Sequence, residues 1–168
     1  SVIGNVGGSG LVRVENGGKI ITTSLLQLAA NSGSGVLILD GPEASISGSS
    51  NINIGSSGTG NAYMEITNGA SLNRSSHVQV ASNINGTLLV HNGSTFTLTG
   101  SFRIGGRNDE GTAVGGIGLA TFASGAQANL TRITMYSGNT FEIDGATVTV
   151  STTSSTKSKW FAYSIYRV

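Results

Sequence analysis

The sequence has no cysteine, a single proline and very little charge. Without cysteine, the chain can form no disulfide, thiol nucleophile or thiolate metal site. Charged residues make up 10% of the 168 positions, and the formal net charge is +1. A chain so weakly charged has no broad field to attract nucleic acid or an anionic membrane. No apolar run is long enough for a membrane-spanning helix. We therefore expect no nucleic-acid partner, no membrane span and no cofactor.

Glycine is abundant instead, with 26 residues, and Ser, Thr and Asn fill most of the remaining polar positions. Gly and Asn adopt the left-handed backbone angles that tight turns require. Regularly spaced Val, Ile, Leu and Phe residues argue against a disordered linker. Because the chain begins at Ser1 rather than Met, we expect a processed or excised segment of a secreted protein, located outside the cell or on its surface.

A short apolar segment with strand-type alternation, followed by a glycine turn, occurs six times. The segments are residues 12–14, 37–39, 64–66, 88–90, 120–122 and 141–143, and the glycines are Gly17, Gly41, Gly69, Gly93, Gly125 and Gly145. These glycines are spaced by 24, 28, 24, 32 and 20 residues. A period of this size with strand-type alternation is typical of a solenoid, in which each repeat forms one coil.

A second series of apolar–polar–apolar triplets follows the first with a similar period. The last residues of its triplets are spaced by 26, 26, 24 and 31 positions. The triplets are residues 26–28, 52–54, 78–80, 102–104 and 133–135. A third, less regular apolar set follows each turn glycine. Three short strands per repeat predict an all-β parallel β-helix (β-solenoid) of about six coils over residues 1–150.

Alternation along each strand places the outer residues of a triplet inside and the middle residue in solvent. The second series then predicts one buried row, made of Leu28, Ile54, Val80, Ile104 and Met135. It also predicts an exterior column of Gln27, Asn53, Gln79, Arg103 and Thr134. The first series predicts a mixed exterior column of Arg13, Ile38, Glu65, Leu89, Thr121 and Glu142.

A recurring phrase of the form Gly-x-Leu-x-Val-x-x-Gly-Ala/Ser-x-Leu reads Gly60-Asn-Ala-Tyr-Met64-Glu-Ile66-Thr-Asn-Gly69-Ala-Ser-Leu72, and again Gly86-Thr-Leu88-Leu-Val90-His-Asn-Gly93-Ser-Thr-Phe96. It resembles the repeats of bacterial autotransporter passenger domains, and the likeness covers about residues 3–150. The resemblance implies secretion, a right-handed β-helix, and a role in adhesion, aggregation or biofilm formation.

The widest spacing, between Gly93 and Gly125, holds an insertion with two of the eight acidic residues. In a solenoid an insertion projects as a loop, and loops commonly carry function. The candidate binding loop consists of Arg107, Asn108, Asp109 and Glu110. Its Gly/Asp-rich opening occurs once, whereas calcium turns in β-helices repeat in adjacent coils, so we expect a solvated loop without metal. A host-surface or glycan ligand is the alternative.

Residues 151–168 abandon the repeat and hold the single Trp. Their alternation gives a strand with two apolar faces, and an uncovered terminal coil needs a cap or a partner. We expect either a cap on its own coil or a strand that joins a neighbouring subunit. The residues that would do this are Trp160, Phe161, Tyr163, Ile165 and Tyr166.

Acid–base chemistry finds little support in the pattern. Glu65 and Glu142 are three coils apart in the predicted column, about 14 Å, which is too far for a pair acting on one glycosidic bond. His77 and His91 fall in different strand series, and we expect no carboxylate beside either. The sequence therefore favours a non-enzymatic structural or adhesive module that forms a homo-oligomer or filament. The alternatives are a receptor- or glycan-binding segment and, less favoured, a polysaccharide lyase or hydrolase.

Overall fold

The computed structural model describes residues 1–109 and 114–151, and the backbone of residues 159–160. The described part is entirely β-strand, turn and loop. Its strands are, in chain order, β1 (Val2–Ile3), β2 (Ser9–Val14), β3 (Lys19–Thr22), β4 (Leu26–Leu28), β5 (Ser34–Asp40), β6 (Ser45–Gly48), β7 (Ile52–Ile54), β8 (Ala62–Thr67), β9 (Ser71–Arg74), β10 (Val78–Val80), β11 (Gly86–Val90), β12 (Thr95–Ile104), β13 (Gly118–Ala123), β14 (Gln127–Met135), β15 (Thr140–Asp144), β16 (Thr147–Val150) and β17 (Lys159–Trp160).

These strands form two sheets in which every strand pairing is parallel. Sheet I has six strands in the order β2-β5-β8-β11-β13-β15. Sheet II has eleven strands and two branches. Branch A is β1-β4-β7-β10 and branch B is β3-β6-β9. Beyond β12, branch A continues through the second half of β14 to β17, and branch B continues through the first half of β14 to β16. Both branches meet β12, whose first half pairs with β9 and whose second half pairs with β10.

Each strand pairs with the strand one repeat away, because equivalent residues of successive repeats lie side by side. In sheet I, Arg13 is in register with Ile38, and Ile38 with Glu65. The same exterior column continues through Leu89, Thr121 and Glu142. The predicted column is therefore confirmed. The molecule is an all-β protein of stacked parallel strands, as in a parallel β-solenoid.

A continuous apolar core lies inside the two sheets. The predicted row of Leu28, Ile54, Val80, Ile104 and Met135 is in consecutive register and fully buried. In the later repeats, phenylalanine replaces aliphatic residues. Four rings pack edge to face with centroids 5.4–6.1 Å apart, those of Phe96, Phe102, Phe122 and Phe141.

The turns between sheet I and branch B explain the regular glycines. Three of them contain an Asn-Gly pair in which both residues have positive φ, as at Asn68 (56°) and Gly69 (81°). Asn is one of the few side-chain-bearing residues that adopt this conformation readily. The Asn side chains also stack, since Asn92 Nδ2 donates to Asn68 Oδ1 and Asn68 Nδ2 donates to Asp40 Oδ1.

The exterior column of the second series is in register as predicted, but three of its five members are buried. Gln79, Arg103 and Thr134 are buried, whereas Gln27 and Asn53 are half-buried. For Arg103 and Thr134 the reason is a loop that folds against branch A.

Candidate functional site

The candidate binding loop follows β12, and its Asp109 is bound to the solenoid rather than extended into solvent. Its carboxylate accepts hydrogen bonds from Arg103 Nε at 2.9 Å, Arg132 Nη1 at 3.0 Å and Ser101 Oγ at 2.9 Å. Thr134 Oγ1 lies 3.3 Å from it. One carboxylate thus joins the strands β12 and β14. The two arginines, one repeat apart, draw the loop onto the sheet.

Tyr136 holds the preceding part of the loop. Its hydroxyl donates to the carbonyl oxygen of Asn108 at 2.7 Å and accepts from the Asn108 backbone N–H at 3.2 Å. Arg103 Nη1 donates to the Arg107 carbonyl oxygen at 2.8 Å. Gly106 lies flat against the Tyr136 ring, where a Cβ would collide with it. The loop therefore does not project as expected at Asn108 and Asp109, while Arg107 is exposed. Glu110 lies outside the described residues.

The charged and hydrogen-bonding groups around Asp109 shift its pKa. Partial burial raises the pKa of Asp109, but hydrogen bonds from Arg103 and Ser101, with the charges of Arg103 and Arg132, outweigh burial and bring it to about 2. His77, whose Nδ1 accepts from the Ser101 N–H at 2.9 Å, has a pKa lowered by burial and by the charge of Arg103. Asp109 therefore remains ionised at neutral pH and connects the strands β12 and β14.

A histidine–carboxylate contact on the exterior of sheet I contradicts an expectation from the sequence. His91 Nε2 lies 2.7 Å from Glu65 Oε1, so a carboxylate does stand beside one histidine. Glu65 is in register with Leu89 of β11. His91 directly follows β11, two residues after Leu89, and therefore lies on the same exterior side. The two residues are 26 positions apart, one repeat, which was the signal available in the sequence. Neighbouring Tyr63 has its pKa raised to about 12 by burial and by the charge of Glu65.

Glu65 and Glu142 remain three strand spacings apart, as the register Glu65–Leu89–Thr121–Glu142 requires. Thr121 Oγ1 donates to Glu142 at 3.2 Å. In residues 1–109 and 114–151, no three His, Asp or Glu side chains are placed to hold a metal ion. Among the residues that the structure describes, there is no helix long and apolar enough to cross a membrane.

The two ends of the solenoid leave interior positions uncovered. At the last repeat, Ile143 and Val150 are 39% and 40% exposed, although their register partners Phe122 and Leu130 are buried. At the first repeat, Val12 and Ile20 are half-buried, whereas their partners Leu37 and Ile46 are fully buried. The outer edges of β2, β3, β15 and β16 have no strand beside them within the described part of the chain.

The predicted cap or assembly strand is described only at Lys159 and Trp160. These residues form β17, parallel to β14, with Lys159 opposite Thr134 and Trp160 opposite Met135. β17 therefore adds one strand to branch A of its own chain. Phe161, Tyr163, Ile165 and Tyr166 lie outside the described residues.

No protein-family model, curated protein or solved structure matches this chain. Its class is therefore defined by its architecture, an all-β protein made of two all-parallel sheets of stacked strands.

Proposed function

We propose that this chain is a non-enzymatic extracellular structural or adhesive module, a right-handed parallel β-helix of about six coils that joins like copies end to end. The observation that carries the proposal is the exposure of interior positions at both ends. Ile143 and Val150 belong to columns that are buried in the middle of the protein. A solenoid end of this kind is stabilised by a cap or by a further stacked repeat.

Edge strands add to this tendency. Each parallel edge presents a row of unpaired backbone N–H and C=O groups, which readily accept another strand. An exposed Leu11 on β2 and an exposed Ile21 on β3 lie beside the first edge. Stacking a second copy would therefore satisfy backbone groups and remove apolar surface from water in the same step.

The arrangement of polar groups favours a structural role over catalysis. Asp109 is bound by Arg103 and Arg132, and Glu65 contacts His91. The Asp109–Arg132 and Glu65–His91 contacts connect neighbouring repeats. Together with the absence of cysteine, the low charge and the resemblance to secreted adhesin repeats, they support a surface fibre or biofilm matrix as the setting.

The test is the assembly state of the full chain over a range of concentrations, measured by size-exclusion chromatography with light scattering and by negative-stain microscopy. We expect linear particles that lengthen with concentration. Ile143→Lys and Val150→Lys, which place a charge in the uncovered end, should abolish the particles and retain the β-sheet circular dichroism spectrum.

Asn129→Lys is the matched control, since Asn129 is exposed on β14 in register with Thr149 and lies on the outer face of the sheet, between buried Ala128 and Leu130. It should leave the particles unchanged. Compact monomers of the unmodified chain at every concentration would refute the proposed function.

A further inference from the structure

We infer a head-to-tail joint between two copies of this chain. In this joint, β15 and β16 of one copy pair with β2 and β3 of the next, in the same register that successive repeats have within one chain. The inference rests on the proposed function and adds to it the partner, the polarity and the residues in contact. The partner is a second copy of this chain, because one exterior column begins with Arg13 and ends with Glu142, and the interior columns of the two ends match in pattern.

Inside the joint, the apolar columns continue without a break. The column that begins at Val14 runs through Leu39 and ends at Phe122 and Ile143. The same register on a following copy places Ile143 against the next Val14. It likewise places Phe141 against Val12. The exposed interior of one end thereby meets the half-covered interior of the other.

Outside the joint, opposite charges become neighbours. Arg13 and Glu142 are the first and last members of one exterior column. The guanidinium of Arg13 donates to Glu15 and Asp40 in its own chain. A following copy in register also sets its Arg13 beside Glu142, and opposite charges at adjacent sheet positions stabilise pairing. The first edge also carries Lys19 and the second carries Asp144.

Other polarities lose this match. A tail-to-tail contact would bring the acidic strands of two copies together, with Glu142 and Asp144 on each side. A head-to-head contact would oppose two copies of β2 and β3, each with Arg13 and Lys19. Like charges on facing strands are destabilising. The match of Arg13 with Glu142 thus favours the head-to-tail joint.

In branch A, the joint requires that β17 of one copy replace β1 of the next copy. Here β1 lies outside β4 at one end, and β17 lies outside β14 at the other. When β15 and β2 of two copies are adjacent, a single strand position remains between β14 and the next β4. In the joint β17 fills that position and β1 of the next copy leaves it. Trp160 then takes the register position of Ile3, because both pair within the column of Leu28 and Met135.

The test uses the absence of native cysteine. Arg13→Cys and Glu142→Cys are prepared as two separate full-length variants, mixed and oxidised mildly. Within one copy the two positions are five strand spacings apart, about 24 Å, which no disulfide can bridge. In the joint they lie on adjacent strands about 4.8 Å apart, within disulfide range. We expect the mixed disulfide between residues 13 and 142 to dominate, identified by mass spectrometry of the digested dimer.

The matched control replaces Glu142→Cys by Leu89→Cys, which lies in the same exterior column in the middle of sheet I. Mixed with Arg13→Cys, it should give no heterodimer. Dominant 13–13 and 142–142 disulfides in intact particles would overturn the head-to-tail joint and leave the proposed function standing. Absence of particles from the unmodified chain would refute the proposed function itself.

A charge exchange gives an independent measurement. Arg13→Glu or Glu142→Arg alone should raise the concentration needed for assembly by about 5-fold, the equivalent of about 1 kcal/mol for one cross-strand pair. The double variant should return it to within about 2-fold of the unmodified chain. Failure of the double variant to recover, with its melting temperature unchanged, would contradict the contact.

Discussion

The guanidinium of Arg74 occupies the space that Gly48 leaves free in the same interior column. Gly48 pairs with Arg74 in register, and a Cβ on Gly48 would collide with Arg74 Nη1 and with the Thr22 carbonyl. Arg74 is 0% exposed, and its Nη1 donates to the carbonyl oxygens of Thr22 and Ser47 at 3.0 Å each. A buried cation is thus held by the backbone of two preceding repeats.

Gly48→Ala should lower the free energy of unfolding by about 2–4 kcal/mol, because the added methyl group meets backbone and side chain at a φ of +135°. Chemical denaturation measures the change. Gly41→Ala is the control, since Gly41 also has a positive φ, +97°, but open space around its Cβ position. It should cost about 1 kcal/mol. Equal losses in the two variants would contradict the packing argument.

Arg74→Leu should leave the protein at least as stable as the unmodified chain. Nε and Nη2 of Arg74 are buried without a hydrogen-bond partner, and burial lowers its pKa. Leucine is the residue at the next two positions of the column, Leu98 and Leu130. Replacing a buried charge with a well-packed apolar side chain is commonly neutral or stabilising.

The reverse change tests the same idea one strand away. Leu98→Arg puts a guanidinium where no glycine makes room for it, and it should cost at least about 3 kcal/mol in the same denaturation experiment. If Arg74→Leu proves as damaging as Leu98→Arg, the arginine is a required part of the core.

Asp109→Asn should make stability less dependent on pH in the acid range. The pKa of Asp109 is lowered from 3.8 to about 2, so its ionised form stabilises the fold above pH 4, and this contribution is lost as the pH falls towards 2. After allowance for solvent screening, we expect the variant to be about 1–2 kcal/mol less stable at pH 7 and equal to the unmodified chain near pH 2. Denaturation midpoints from pH 2 to 7 measure this difference.

Ile3→Ala should have opposite effects on the monomer and on assembly. Ile3 is buried on β1, so truncation removes apolar contacts and lowers the monomer's melting temperature. In the joint, however, β1 leaves its position, and a weaker β1 leaves more easily. The concentration needed for particles should therefore fall. A rise in that concentration would show that β1 remains in place when copies join.

Much of the fold is readable from the sequence because it depends on local alternation and a constant repeat. The row from Leu28 to Met135 needs no more than strand periodicity and a period near 25 residues to be placed. The spacing of the aliphatic residues, which recur at nearly constant intervals, also separates this protein from disordered linkers.

What the sequence hides are contacts that depend on side-chain reach. Arg74 interrupts an apolar column, and its burial follows from the missing side chain of Gly48 one repeat earlier. Asp109 binds two arginines because β12 and β14 place them side by side, which turns an expected solvated loop into part of the surface of branch A. The contact between Glu65 and His91 crosses from one repeat to the next diagonally, so a search within each strand series misses it.

The four edge-to-face phenylalanine rings are not shared equally along the protein. All of them belong to β12, β13 and β15, while the first repeats are filled by aliphatic side chains and a charged one. Because each repeat contacts mainly its neighbours, a solenoid can lose its windings one after another rather than all at once. Under tension or heat, fraying will therefore start at the amino-terminal windings, and the aromatic half will be the last to come apart.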